Sequence, residues 1–276
     1  MATFVSYTTS TTQGMAAAAA VAIGIGVGVG VYLRRHEATD FAFQEQVHHP
    51  SALRNRIPIL KELLARLPED ISGAALEIGS GSGAHLEVYA PAFPSLTFQP
   101  TEYVPDEPAL PEQQWSKYGK IGHRQGLDEL ANIDSHCASV FKNVVPAVGL
   151  DLLSPWEEWP QIVREARGTY RLVICSNTLH ITPWEASLGF FRGAARALSP
   201  RGHLFVYGPF KVDGGYVGAD GGVGNAKFDQ RLRETNALWG FRDVGELSSV
   251  ASTEGLELRD KVDMPANNML LHFVKM

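Results

Sequence analysis

Hydrophobic positions change their period several times along the chain, and each change marks an element. Residues 14–33 carry no charge; Ala16 to Ala20 lead into Val and Ile interleaved with Gly24, Gly26, Gly28 and Gly30. A run of that length matches a bilayer core of ~30 Å, so it is expected to be a transmembrane anchor behind a disordered Ser/Thr-rich terminus at 1–13. Gly24/Gly28 and Gly26/Gly30 add small-residue pairs suited to helix association. Arg34 and Arg35 follow at once, which places the rest of the chain on the cytosolic side. The endoplasmic reticulum and the mitochondrial outer membrane both suit such an anchor. The competing reading is a cleaved targeting segment, leaving a cytoplasmic or organellar protein; the stretch lacks the basic start of a signal peptide and the arginines of a transit peptide.

After a linker at 34–50, residues 51–276 form one expected domain. Apolar positions at Ile57, Leu60, Leu63, Leu64 and Leu67 recur at helical spacing, and Pro58 predicts that the regular helix starts near it. Strands are expected at 74–78, 96–102, 144–152, 171–177, 203–210, 256–262 and 269–274, the last two joined by a hairpin link at 264–268. The third contains Pro146, which cannot donate to a ladder, so it belongs at a sheet edge. Between strands the pattern returns to helix. A first helix from His85 ends at Pro91 and Pro94, a polar stretch at 105–132 holds a helical patch, and an amphipathic helix covers 190–198 before a turn at 200–202. The glycine-rich excursion at 214–224 is long for a compact connection and is expected to be a mobile lid, with Lys211 and Asp213 at its root as candidate substrate contacts.

Composition narrows the classes. The charge of -6 and the lack of a Lys/Arg run exclude a broad nucleic-acid surface. Cys137 and Cys175 are the two cysteines, without zinc-type spacing, so neither a disulfide framework nor a metal site is expected.

The candidate chemistry starts at Leu76-Glu77-Ile78-Gly79-Ser80-Gly81-Ser82-Gly83-Ala84-His85, a strand, a glycine turn and a helix start. Such a turn lets backbone N–H groups approach a ligand closely. Gly79-x-Gly81-x-x-Ala84 satisfies the loose dinucleotide fingerprint, the signature of a dinucleotide-dependent oxidoreductase. The acidic Glu77-x-Gly79-x-Gly81-x-Gly83 resembles instead the signature of class I S-adenosylmethionine (SAM) methyltransferases. The acid favours the second, because a carboxylate suits an ammonium and gains nothing beside a diphosphate. Glu102, about 20 residues further on, stands where an acid accepts hydrogen bonds from ribose hydroxyls. Asn177 and His180 follow the strand at 171–177, in the zone where open α/β sheets bind ligands. His180 is the first candidate for a general base and Tyr207 the second; a histidine that only packs is the alternative. Arg54 and Asn55 stand where they can close over a ligand, though solvation or capping is the simpler role.

Together with Ser51-Ala52-Leu53-Arg54-Asn55, Gln99-Pro100-Thr101-Glu102, residues 175–184, 207–211, 225–229, 239–243 and 264–268, the turn resembles an uncharacterised SAM-dependent methyltransferase-like family that includes methyltransferase-like protein 26. The resemblance implies an α/β class I methyltransferase (Rossmann-like) fold: a mostly parallel sheet, helices on both faces and a C-terminal antiparallel strand. It implies SAM as cofactor, held by Arg54, Asn55, Glu77, Gly79, Ser80, Gly81, Gly83, Glu102, Asp151, Leu152 and Asn177, with Asp151 and Leu152 against adenine. The family usually shows aspartate where this chain has Glu102. The acceptor, a small molecule or a protein side chain, is not named by the family. A SAM-binding sensor or scaffold without turnover is the alternative, and oligomeric state is not legible.

Overall fold

A computed structural model describes residues 48–104 and 127–276. The expected N-terminus, anchor and most of the linker lie outside the described residues. Among the described residues, no helix is long and apolar enough to cross a membrane.

The first helix, α1 (Pro50–Arg66), starts about two turns before the expected position. His49 caps it by accepting from the Ser51 N–H, and Pro50 takes the first helical position, where a missing N–H costs nothing. Pro58 lies inside the helix; it deprives the Arg54 carbonyl of a donor, and Arg54 is exposed, so water can satisfy it. The next elements are β1 (Gly73–Ile78), α2 (Leu86–Ala92) and β2 (Leu96–Glu102). Pro91 falls within α2 and does not end it; the helix stops at Phe93. The helical patch expected within 105–132 corresponds to α3 (Leu127–Ile133). Then come β3 (Val148–Gly149), α4 (Gln161–Glu165), β4 (Tyr170–Ser176), α5 (Trp184–Ala197) and β5 (Leu198–Gly208). The expected turn at 200–202 is an irregularity inside β5, where Arg201 adopts a φ of 62°. The chain closes with β6 (Phe210–Val212), β7 (Gly215–Tyr216), α6 (Val223–Thr235), β8 (Arg242–Asp243), α7 (Val244–Thr253), β9 (Leu256–Met264) and β10 (Asn268–Lys275).

Among the described residues, seven strands form one sheet in the order β3-β2-β1-β4-β5-β10-β9. The first five are parallel to one another, and β10 is antiparallel to both β5 and β9. The strand expected at 144–152 reduces to the two-residue β3 at the sheet edge, with Pro146 outside it. Successive side chains of a strand point to opposite faces, so the register sorts the core. Leu76, Ile78, Val173, Cys175, Leu204, Val206, Leu271 and Phe273 face α5 and α7, whose Phe190, Phe191, Ala194, Leu247 and Ala251 complete one apolar cluster. The other face carries Ala75, Glu77, Phe98, Ile174, Ser176, Phe205, Tyr207 and Leu270 in register. Tyr89 of α2 stacks on Phe98 there, and α1 crosses the same side, tied through Arg56 to Glu87 on α2 and through Arg66 to Asp260 on β9. Strand order reverses between β1 and β4, which leaves a crevice at the carboxyl ends of these two strands.

Candidate functional site

The glycine turn fills that reversal point. Its first residues are strapped to β2: the Gly79 and Ser80 N–H groups both donate to the Thr101 carbonyl at 3.0 and 2.9 Å, and Thr101 Oγ1 donates to the Glu77 carbonyl at 2.9 Å. All three glycines have positive φ, of 72°, 56° and 81°, yet they differ in why glycine is needed. A Cβ on Gly79 would lie 2.3 Å from Thr178 Oγ1, and one on Gly83 would lie 2.8 Å from Cys137 Sγ. Among the described residues, a Cβ on Gly81 would meet nothing within 4 Å. Gly79 and Gly83 are therefore closed by protein, while Gly81 faces open space where a ligand can approach the backbone.

Glu77 is 1% exposed, and among the described residues neither carboxylate oxygen has a hydrogen-bond partner. Burial above all, with Glu102 nearby adding repulsion, raises its pKa to about 8. His85 Nδ1 lies 3.8 Å from Glu77 Oε1, and its ring stacks on Tyr89. Burial above all, reinforced by the Arg56 guanidinium, lowers the His85 pKa to about 4, so it stays neutral beside the acid. Other buried polar atoms without partners share this side of the sheet: Tyr89 Oη, Ser176 Oγ and Tyr207 Oη, with Asn55 Oδ1 from α1. Arg54, exposed on α1, is near enough to Tyr207 to act on its hydroxyl, although burial dominates and raises that pKa to about 12. A buried polar atom left unpaired costs roughly 1–3 kcal/mol, and here several gather with one acid on the same side of the sheet.

Glu102 closes the other side of the turn. Its Oε2 accepts from the Gly81 N–H at 2.6 Å and its Oε1 from the Tyr103 N–H at 2.9 Å. Burial raises its pKa, opposed by these two donors. Each oxygen keeps a second lone pair for a hydroxyl, so the carboxylate both braces the turn and has acceptor capacity left. Asp151 stands just beyond β3, its Oδ1 accepting from the Leu153 N–H at 2.8 Å. Leu152 packs in the apolar cluster on the α5 side, and its carbonyl occupies the space a side chain at Gly189 would need. Asn177, at the end of β4, holds a left-handed φ of 57°, and its N–H donates to the Tyr207 carbonyl.

His180 is 8% exposed and wedged edge-on against Phe228 and Phe241, with Gly208 beside it. Burial, reinforced by the Arg242 guanidinium, lowers its pKa to about 3. Such an imidazole is neutral at pH 7 and a weak base. Arg242 is itself held by the Thr182 and Gly240 carbonyls and by Ser187 Oγ. Lys211 lies 3.3 Å from buried Asp229 and over the Tyr216 ring, so its charge is already matched within the fold. Asp213 forms the tip of the β6–β7 hairpin at a φ of 52°. The excursion at 214–224 carries hydrogen-bonded ties at several points. Asn267 Oδ1 accepts from the Ala219 N–H, Asp220 accepts from the Gly222 and Gly224 N–H groups, and Asn225 Nδ2 ties the Val217 and Asn267 carbonyls.

The structure thus brings Asn55, Glu77, Gly81, Glu102, Asn177 and Tyr207 to the carboxyl end of the sheet, and puts His180 against the β6–β7 side. Sequence reasoning missed His48, His85, Tyr89 and Ser176. For Ser176 the clue was present, since it lies two residues beyond Ile174 on the buried face of β4; nothing in the spacing marked His48. Among the described residues, no group of His, Cys, Asp and Glu is arranged to hold a metal ion.

Solved structures share this architecture. An O-methyltransferase family protein from Burkholderia thailandensis superposes with a TM-score of 0.60 at 14% identity, over 82% of this chain and 58% of its own. The mitomycin 7-O-methyltransferase MmcR gives 0.57 at 14%, over 82% of this chain and 54% of its own. PigF with SAH gives 0.54 at 17%, over 89% and 70%. The chain spans little more than half the length of the first two. At these identities the likeness is one of fold, and the fold is the class I Rossmann-like methyltransferase fold. A family model described as "Protein of unknown function (DUF938)" matches residues 46–275, and the chain belongs to that family.

Proposed function

We propose that the protein is a SAM-dependent methyltransferase acting on a small-molecule or protein acceptor. One observation carries this reading: a buried carboxyl, Glu77, with both oxygens unpaired, lies under a turn whose central glycine faces open space. The residues fit the cofactor. Glu77 would take its ammonium, Glu102 its ribose hydroxyls, Gly81 its close approach to the backbone, and Asn55, Ser176 and Tyr207 its remaining polar groups. Asp151 and Leu152 are proposed for the adenine, with Arg54 and Asn177 closing the rim. A diphosphate would offer no cation to the buried Glu77 carboxyl and would oppose its ionisation, which disfavours a dinucleotide. SAM-type structures such as CalO1 in its SAH-bound form and PigF with SAH support the choice by fold, as does the motif resemblance to the family that includes methyltransferase-like protein 26.

When bound, SAM supplies an electrophilic methyl group on a sulfonium. The chain's part is positioning and exclusion of water. Tyr207, with a pKa of about 12, offers a hydroxyl that stays protonated and orients by donation. His180, at about 3, takes up no proton at neutral pH. That observation favours an acceptor that arrives as a good nucleophile, and it equally supports the second reading, a SAM-binding sensor without turnover. Calorimetry with S-adenosylhomocysteine (SAH) against NADH tests the cofactor: micromolar SAH binding is expected, lost in Gly81→Arg, and NADH binding in its place would overturn the reading. Release of SAH from SAM on adding cell extract separates enzyme from sensor. Membrane tethering through residues 14–33 is part of the proposal, tested by carbonate extraction.

A further inference from the structure

We infer that His48 is a positioning residue for the glycine turn: it latches Ser82 to α1 and α2 and fixes the direction of the Ser82 hydroxyl beside the proposed cofactor site. The inference rests on the reading above for the ligand, and on geometry for the latch. His48, two residues before α1, is 1% exposed. Its Nδ1 lies 2.7 Å from Ser82 Oγ, and its Nε2 lies 3.1 Å from Glu87 Oε1 on α2. The second oxygen of Glu87 accepts from Arg56 of α1 at 2.8 Å.

An ionised carboxylate only accepts, so His48 Nε2 carries the hydrogen that Glu87 receives. The other ring nitrogen, Nδ1, engages the Ser82 hydroxyl at 2.7 Å, so one buried imidazole spans the turn and α2 and holds Ser82 Oγ in one direction. The turn is held from two sides, by Glu102 at the Gly81 N–H and by His48 at Ser82. A chain Arg56–Glu87–His48–Ser82 drawn from α1, the segment before it, α2 and the turn links the motion of four segments to one half-exposed serine.

The test uses the full chain and two measurements. SAH affinity is measured by calorimetry for wild type, Ser82→Ala, His48→Ala, the double variant and His48→Gln. Each alanine change is expected to weaken binding about fivefold, the worth of one hydrogen bond, and the double variant no more than either single one. His48→Gln, whose amide offers one acceptor and one donor at similar separation, restores affinity to within about twofold of wild type. Additive losses, or no rescue by glutamine, overturn the inference. Amide hydrogen exchange at residues 79–84 is followed without ligand; faster exchange in Ser82→Ala and His48→Ala is expected, and unchanged exchange overturns the latch. Should wild type fail to bind SAH, the cofactor reading falls, and exchange still decides the latch. Should His48→Ala not fold, Ser82→Ala removes the same hydrogen bond from the half-exposed side.

Discussion

Glu77 makes the sharpest demand on chemistry in this chain. Its folded pKa of about 8 against an unfolded 4.5 means that the free protein holds a proton there at pH 7. An ammonium brought against it favours the carboxylate, so binding must expel that proton. SAH binding at pH 7 is expected to release about one proton, seen as a binding enthalpy that changes with the ionisation enthalpy of the buffer. A buffer-independent enthalpy would show that Glu77 does not meet the ligand's charge. The neighbouring glycines separate backbone strain from ligand access. Gly81→Ala pays only the left-handed penalty of ~1–2 kcal/mol, because its Cβ meets nothing within 4 Å among the described residues. Gly83→Ala adds overpacking against Cys137 Sγ at 2.8 Å and is expected to lose roughly 1–3 kcal/mol more. Urea unfolding that ranks the two in the opposite order would mean Cys137 can move aside. The acid and the glycines were legible because such a turn demands those residue types at fixed offsets. His48 was not, since its partner Ser82 stands 34 positions away and no period connects them.

At the scale of elements, the strands were the readable part, because burial on both faces leaves continuous apolar runs, as at 171–176. Helix ends were less so. Pro58 and Pro91 were expected to mark boundaries, but each sits inside a helix whose packed face outweighs one lost hydrogen bond: Ile59, Leu60 and Leu63 in α1, Val88 and Tyr89 in α2. The ties within the glycine-rich excursion were illegible for a related reason. Composition reports backbone freedom, whereas Asn267, at a φ of 57° on the β9–β10 tip, reaches across to the Ala219 N–H and to Asp220. Such a clasp is invisible along the chain. Asn267→Ala deletes both contacts and is expected to cost roughly 1–3 kcal/mol. Limited proteolysis should then cut within 214–222 faster than in wild type, while the rest of the domain resists; equal rates would show that Asp220 and Asn225 hold the segment unaided.

For the whole molecule, the buried ionisable groups set opposing slopes of stability with pH. His85 and His272 have folded pKa values of about 4, and His180 about 3, against 6.5 unfolded. For His272 burial is the first cause and His203 the next; the two rings share a 3.0 Å contact between Nδ1 and Nε2 that cannot hold two protons without repulsion. A depressed histidine binds fewer protons folded than unfolded, so its stabilisation is complete above 6.5 and is lost as pH falls toward 4. Glu77 runs the other way: its raised pKa makes its contribution complete below 4.5 and lost as pH climbs through about 8. Three groups against one make stability rise from pH 4.5 to 6.5, and above 6.5 only the Glu77 slope remains of these four. The unfolding free energy should therefore peak near pH 6.5 and decline toward pH 8 by roughly 1–2 kcal/mol. Glu77→Gln abolishes the decline because an amide has no proton to give up, and His272→Gln shallows the acid limb without touching the alkaline one. A stability still climbing between pH 7 and 8 in wild type would mean that Glu77 is already ionised in the folded chain. The proton release expected on ligand binding would then vanish with it, so the pH profile of the free protein tests the site before any ligand is added.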